Sequence, residues 1–342
     1  MSDTCASDRP WRLALACMPA LLAILLLGVY TRHLPMALIA LGGAFTAGFG
    51  AFKKFSDYPL APMLIVTAGM AVSAWIGSLA GNHFWLLAMV AAVWAALCAW
   101  LASVEDTLWW IVLQWSIALL VAGSYPGGIG TADHRALLML CGGVMQLLVF
   151  GCFQRALYFD QHTLARSVLR ANLQAIRTDF QVHFRLRRYG FYAASVVVLC
   201  LVAVHLLGLR YGYWAPMTAL IVLKVHTRDT FTKGLQRVLG TLAGCAVASL
   251  IAHLNAGFTL LSVASLASAF VAYGLQNRNY SVFTSFITAT AVLTVALGGT
   301  PEWQAALERA AATGIGAATA ISVLAVESWI GDHLHRRGRR PA

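Results

Sequence analysis

FWLLAMVAAVWAALCAWLAS, residues 84–103, runs for a full twenty positions without a charged side chain. At 1.5 Å of rise per residue such a run, coiled as a helix, covers the roughly 30 Å of a bilayer's hydrocarbon layer. Working outward, comparable runs lie near 11–30, 35–52, 60–80, 107–125 and 135–153. A second set lies near 190–208, 211–225, 237–253, 258–275, 281–298 and 308–330. Lipid offers no hydrogen bonds, so each span must satisfy its own backbone, and no alternation of a barrel strand is visible. The predicted fold is therefore an all-α polytopic membrane protein of about 12 transmembrane helices.

Composition agrees. Of 342 residues, 60% are hydrophobic and 11% charged, against about 25% charged in ordinary soluble domains. The net charge of +11 suggests nucleic acid until the charges are placed. With the N-terminus inside, every Lys and Arg but Arg32, Arg135, Arg210 and Arg309 falls on one side. That is the positive-inside bias, which predicts both termini in the cytoplasm and no nucleic-acid partner. The seven cysteines are scattered, without a CxxC pair or His at ligand spacing, so no metal site and no cofactor are expected. No nucleophile with a positioned base and no phosphate-cradling loop appears, which argues against an enzyme.

The spans read as two parallel six-helix repeats. Pro35-Met36-Ala37-Leu38-Ile39 returns as Pro216-Met217-Thr218-Ala219-Leu220-Ile221 with one insertion. The ladder Gly69, Ser73, Gly77, Gly81 returns as Gly240, Gly244, Ala248, Ala252. Arg135-Ala136 and Arg309-Ala310 each open the last span, with Gly142 and Gly316 equally far beyond. Six spans per copy is even, so the copies share one orientation. The expected organisation is a first, degenerate repeat at 1–153, an amphipathic cytoplasmic helix at 154–189, a second repeat at 190–331 and a basic cytoplasmic tail at 332–342. In the linker, Leu164, Val168, Leu169, Leu173, Ile176 and Phe180 fall at helical spacing with Arg166, Arg170 and Arg177 on another face. That pattern suits contact with anionic lipid headgroups.

The second half also carries recognisable text: Tyr211-Gly212-Tyr213-Trp214-Ala215-Pro216, then Arg237-Val238-Leu239-Gly240-Thr241, then Arg309 followed by Thr313-Gly314-Ile315-Gly316. This order resembles the fusaric acid resistance family, the aromatic carboxylic acid exporters of bacterial inner membranes. It covers about residues 190–330, and the first half matches only as the degenerate repeat. The resemblance implies an inner-membrane secondary transporter that exports aromatic or other small organic acids. A single helical stretch replaces the sizeable cytoplasmic domain that many members carry between the halves. Plant malate channels have a similar membrane unit, so a passive organic-anion channel is the alternative, and a non-transporting scaffold is the third reading. A homo-oligomer or accessory export subunits are the partners left open.

Candidate roles follow from residue chemistry. Arg135 and Arg309 lie on the outer side against the charge bias; as pseudo-twofold mates they would make a carboxylate receptor, or else pair with Asp133 and with Glu302 or Glu308 as loop ion pairs. Trp214, with Tyr211 and Tyr213, is either an interfacial belt or a stacking surface for an aromatic ring. Pro35 and Pro216 either interrupt short spans at a transport site or simply start helices. Arg237, with Thr241 in the same motif, is either a binding residue or an anchor at the cytoplasmic face. Thr284 and Thr288 donate to a ligand or to their own backbone. Gly69, Gly77, Gly81, Gly240, Gly244 and Gly316 are expected to pack helices. Glu308, Glu327, His205 and His253 sit near span ends, so no proton relay is legible.

Overall fold

A computed structural model describes residues 3–53, 60–102, 105–156, 184–224, 227–253, 257–276 and 278–338. They form twelve α-helices. The first half holds α1 (Asp3–Tyr30), α2 (Leu34–Phe49), α3 (Ala61–Ala80), α4 (Phe84–Leu101), α5 (Asp106–Gly123) and α6 (Ile129–Ala156). The second holds α7 (Phe184–Leu206), α8 (Trp214–Val222), α9 (Thr227–His253), α10 (Phe258–Leu275), α11 (Tyr280–Leu297) and α12 (Glu302–Gly338). A 3-10 turn, Gly50–Phe52, extends α2. Most of the predicted linker helix, including all its named apolar and basic positions, lies outside the described residues.

Eleven of these helices are long and apolar enough to cross a membrane. Their burial is the reverse of a soluble bundle's. Ala14, Ala44, Ala74 and Ala95 are fully buried, whereas Leu148, Phe191 and Leu250 are at least 65% exposed. Small residues turn inward because lipid tails give no apolar drive for helix association, so packing contact must supply it.

The twelfth helix departs from expectation. In place of a span over 211–225, α8 has only nine residues, about 13 Å long. Every residue from Tyr211 to Leu220 is buried. Non-helical backbone is tolerated at membrane depth when protein surrounds it, and that is the setting here. Pro216 lies in the first turn of α8 and Pro35 in the first turn of α2, where the missing N–H would have had no helical partner anyway. The two prolines start helices; they do not interrupt them.

Helix pairing follows one pattern in each half. In the first, α2 packs on α6, α3 on α5 and α6, and α4 on α5. In the second, α8 packs on α12, α9 on α11 and α12, and α10 on α11. The halves meet along two seams, α4 with α7 and α1 with α10. Glycines set the closest approaches. A Cβ on Gly142 would collide with the Ala40 carbonyl of α2, and one on Gly316 with the Ala215 carbonyl of α8. Gly77 and Gly81 lie against the α5 backbone at Leu119 and Gly123, and Gly240 and Gly244 against the α11 backbone at Ser281 and Ser285. Gly69 leaves room for the Trp115 ring.

A methyl group at Gly316 must therefore push α12 off α8, at about 1–3 kcal/mol. Gly316→Ala is expected to lower the thermal unfolding temperature of the purified protein by several degrees. Gly314→Ala, where a Cβ meets nothing within 4 Å, should leave it unchanged, and equal behaviour of the two would refute the close-packing account.

Candidate anion site between the two halves

The bundle encloses a cavity of about 490 Å³, within the range of small-molecule sites. Its walls come from α1, α2 and α5 of the first half and from α8 to α12 of the second. Phe45, Phe49, Trp109, Trp110 and Phe283 give it an aromatic lining, and Lys53, Lys233, Arg237 and Arg309 also face it. Among the described lining residues there is no Asp or Glu.

Arg309 lies seven residues beyond the start of α12, about 10 Å along the helix. It is 2% exposed, and its guanidinium carbon sits 4.2 Å from the centroid of Trp214. Its Nε has no hydrogen-bond partner. The adjacent acid does not neutralise it: Glu308 accepts from the Tyr211 N–H at 2.8 Å and from Gln304 at 3.3 Å. Glu308 thus ties the chain entering α8 to α12. The alternative of an exposed loop ion pair with Glu308 is not what is seen, because Arg309 is inside the bundle and Glu308 is held by Tyr211 and Gln304.

Arg237 is displaced from expectation in the same direction. Since α9 begins at Thr227, Arg237 lies ten residues, about 15 Å, into the helix and does not anchor its end. It is 4% exposed and its Nε is also unpartnered. Cys245 Sγ reaches the Ala306 carbonyl and registers the antiparallel helices α9 and α12. Arg309 is three residues and Arg237 eight residues toward the same side of that contact, so they are offset by about 7.5 Å along the axis. Two positive charges facing one cavity repel each other. A buried charge without a partner costs several kcal/mol. The site is built to receive negative charge.

The remaining cations sit beside aromatic rings. Lys233 Nζ is 3.4 Å from the Tyr280 centroid and Lys53 Nζ 5.4 Å from that of Trp110. Burial draws the Lys53 ammonium below the usual lysine range, with Asp106 and Glu105 opposing the shift. Gln276 Oε1 and Tyr280 Oη line the same cavity, buried and unpartnered.

Of the residues singled out from sequence, Tyr213, Trp214, Arg237 and Arg309 come together in this cavity, whereas Arg135, Pro216, Thr241, Thr284 and Thr288 do not line it. Tyr211, Tyr213 and Trp214 are buried and so form no interfacial belt. Nor is Trp214 a free stacking surface: one ring neighbour is Arg309 and another is Tyr211, stacked at 5.8 Å. It is a platform that orients the guanidinium. Pro216 does not line the cavity.

Arg135 does not line this cavity with Arg309. Its Nη1 donates to Ser78 Oγ at 2.6 Å and to the carbonyls of Tyr125 at 2.6 Å and Ala122 at 3.3 Å. It braces the ends of α3 and α5 against α6, while Asp133 accepts from Trp75 at 2.7 Å. Thr241, Thr284 and Thr288 are fully buried, with hydroxyls that lack partners. Thr284 and Thr288 fill the α9–α11 seam against Gly240 and Gly244 and do not line the cavity.

Sequence reasoning missed Lys53, Lys233, Gln276, Tyr280 and the tryptophans of α5. Lys233 carried a usable signal, since it stands one helical turn before Arg237 on the same face.

The fold and this cavity define a transporter-like, multi-pass membrane protein. Over residues 199–323 the chain matches the family described as fusaric acid resistance protein-like. Similar proteins include one of Synechocystis sp., 30% identical over 165 residues, and one of Haemophilus influenzae, 28% identical over 157. These cover 48% and 46% of this chain and 22% of each relative. A protein of Neisseria gonorrhoeae described as ORF2 is 29% identical over 147 residues, 43% of this chain and 35% of its own. The chain thus matches about a fifth to a third of the length of these relatives. No solved structure matches it.

The two arginines should separate on mutation. Arg135→Ala removes three hydrogen bonds at the helix ends and is expected to cost about 1–3 kcal/mol. Arg309→Met replaces an unpaired buried charge with an apolar chain and should be neutral or stabilising by about 1–4 kcal/mol. Thermal unfolding of both variants reads this directly, and a strongly destabilised Arg309→Met would mean that the guanidinium is already paired.

Proposed function

We propose that this protein carries small organic anions across the bacterial inner membrane, with aromatic carboxylates as the best-fitting class and export as the direction. The observation that carries this reading is Arg309, buried and unpaired on Trp214 at the wall of a cavity whose described lining holds no acid. Stacking holds the guanidinium plane and leaves its N–H edge for the paired hydrogen bonds a carboxylate accepts. The substrate ring then packs against Phe45, Trp109 and Trp110. Binding needs no bond-making, and no enzymatic step is invoked. The placement of Lys and Arg supports a cytoplasmic location for both termini. Corresponding helix pairs in the two halves support their origin as copies of one unit.

A passive anion channel is the second reading. Proton coupling in a membrane bundle normally uses an internal carboxylate or His. The described cavity lining has neither, and Glu308 is occupied by Tyr211 and Gln304.

Uptake of radiolabelled hydroxybenzoate into inverted vesicles, with and without a proton gradient, separates these readings. Gradient-driven accumulation is expected for the carrier, and Arg309→Met should reduce it at least tenfold while insertion is preserved. Gradient-independent flux would establish the channel. A lack of flux for every organic anion tried would leave a scaffold and end the transport proposal.

A further inference from the structure

A single carboxylate on Arg309 leaves Arg237 without a partner. Both guanidinium groups are at least nine-tenths buried, with unpartnered Nε atoms, and both line the cavity about 7.5 Å apart along the helix axes. A monoanion at one cannot neutralise the other. The surroundings of the two also differ. Arg309 lies on a tryptophan next to the aromatic wall. Arg237 lies one turn from Lys233, whose ammonium covers the face of Tyr280, while the Tyr280 hydroxyl remains unpartnered. With its ring face covered, this end offers N–H donors from α9 and the Tyr280 O–H from α11. Such a cage suits a small sphere of negative charge and offers nothing to a planar ring.

We infer that Arg237, with Lys233 and Tyr280, holds a resident inorganic anion of the halide class, bound together with the organic anion at Arg309. The inference rests on reading the cavity as an anion site, but not on transport. A ligand that binds only the folded protein raises its stability with concentration, so occupancy can be read without flux.

The test is thermal unfolding of the purified full chain at constant ionic strength, with chloride exchanged for gluconate and with benzoate absent or saturating. The wild type should show a saturable chloride-dependent rise of several degrees that persists at saturating benzoate. Arg309→Met should keep the chloride response and lose the benzoate response. Arg237→Met should lose the chloride response, and Arg237→Lys, which keeps the charge without the fork, should need at least tenfold more chloride. The lysine variant decides the matter if Arg237→Met does not fold. Indifference of the wild type to chloride, competition between chloride and benzoate, or a chloride response that follows Arg309 would each overturn the inference. A chloride response at Arg237 without any benzoate binding would instead sink the proposed substrate class and leave this site standing.

Discussion

Two guanidinium groups buried in an apolar bundle, with no carboxylate among the described cavity-lining residues, are the constraint on which the site depends. An Arg at membrane depth is expensive, and it persists where it faces a cavity or a partner. Here the nearest acid, Glu308, is committed to the Tyr211 backbone, so the charge of Arg309 points into open space. A cation–π contact with Trp214 at 4.2 Å fixes its plane without quenching its charge. On the proposed function, that energetic deficit is the source of affinity, since an entering anion would recover what folding left unpaired.

The rest of the fold makes that arrangement possible. Glycine at 316 lets α12 lie directly on the α8 backbone, which brings Arg309 over Trp214. A full-length span in place of the nine residues of α8 would fill the space that the cavity occupies. The short helix survives because protein, not lipid, surrounds its ends. In the first half Arg135 stands at the corresponding position of α6, but its Nη1 is engaged by Ser78, Ala122 and Tyr125 and it does not line the cavity. The two arginines thus differ in setting, one among helix-end hydrogen bonds and one on a cavity wall, and the family match falls in the second half.

Helices and their number were legible from apolar run lengths, because the bilayer sets one length for all. The packing glycines were legible from four-residue spacing. Helix starts were not, and the site depended on them. The polar opening of α9, Thr227 to Gln236, reads as a loop by hydropathy, yet protein shelters its inner face; moving the start back ten residues carries Arg237 from the rim to the interior. Arg135 and Arg309 are indistinguishable in local sequence, and only the third dimension shows that carbonyl oxygens surround one and a tryptophan ring the other. Lys53 and the α5 tryptophans were invisible because they reach the site from the other half.

The most direct test is the electrostatic character of the cavity. In a background with native cysteines replaced by serine, a cysteine at Ala291, which lines the cavity and is half-buried, is exposed to anionic and cationic thiosulfonate reagents of similar size. With rates normalised to a free thiol, the anionic reagent should react at least tenfold faster, and Arg237→Met with Arg309→Met should remove the preference. Equal rates, or faster reaction with the cation, would contradict an interior held positive by unpaired arginines.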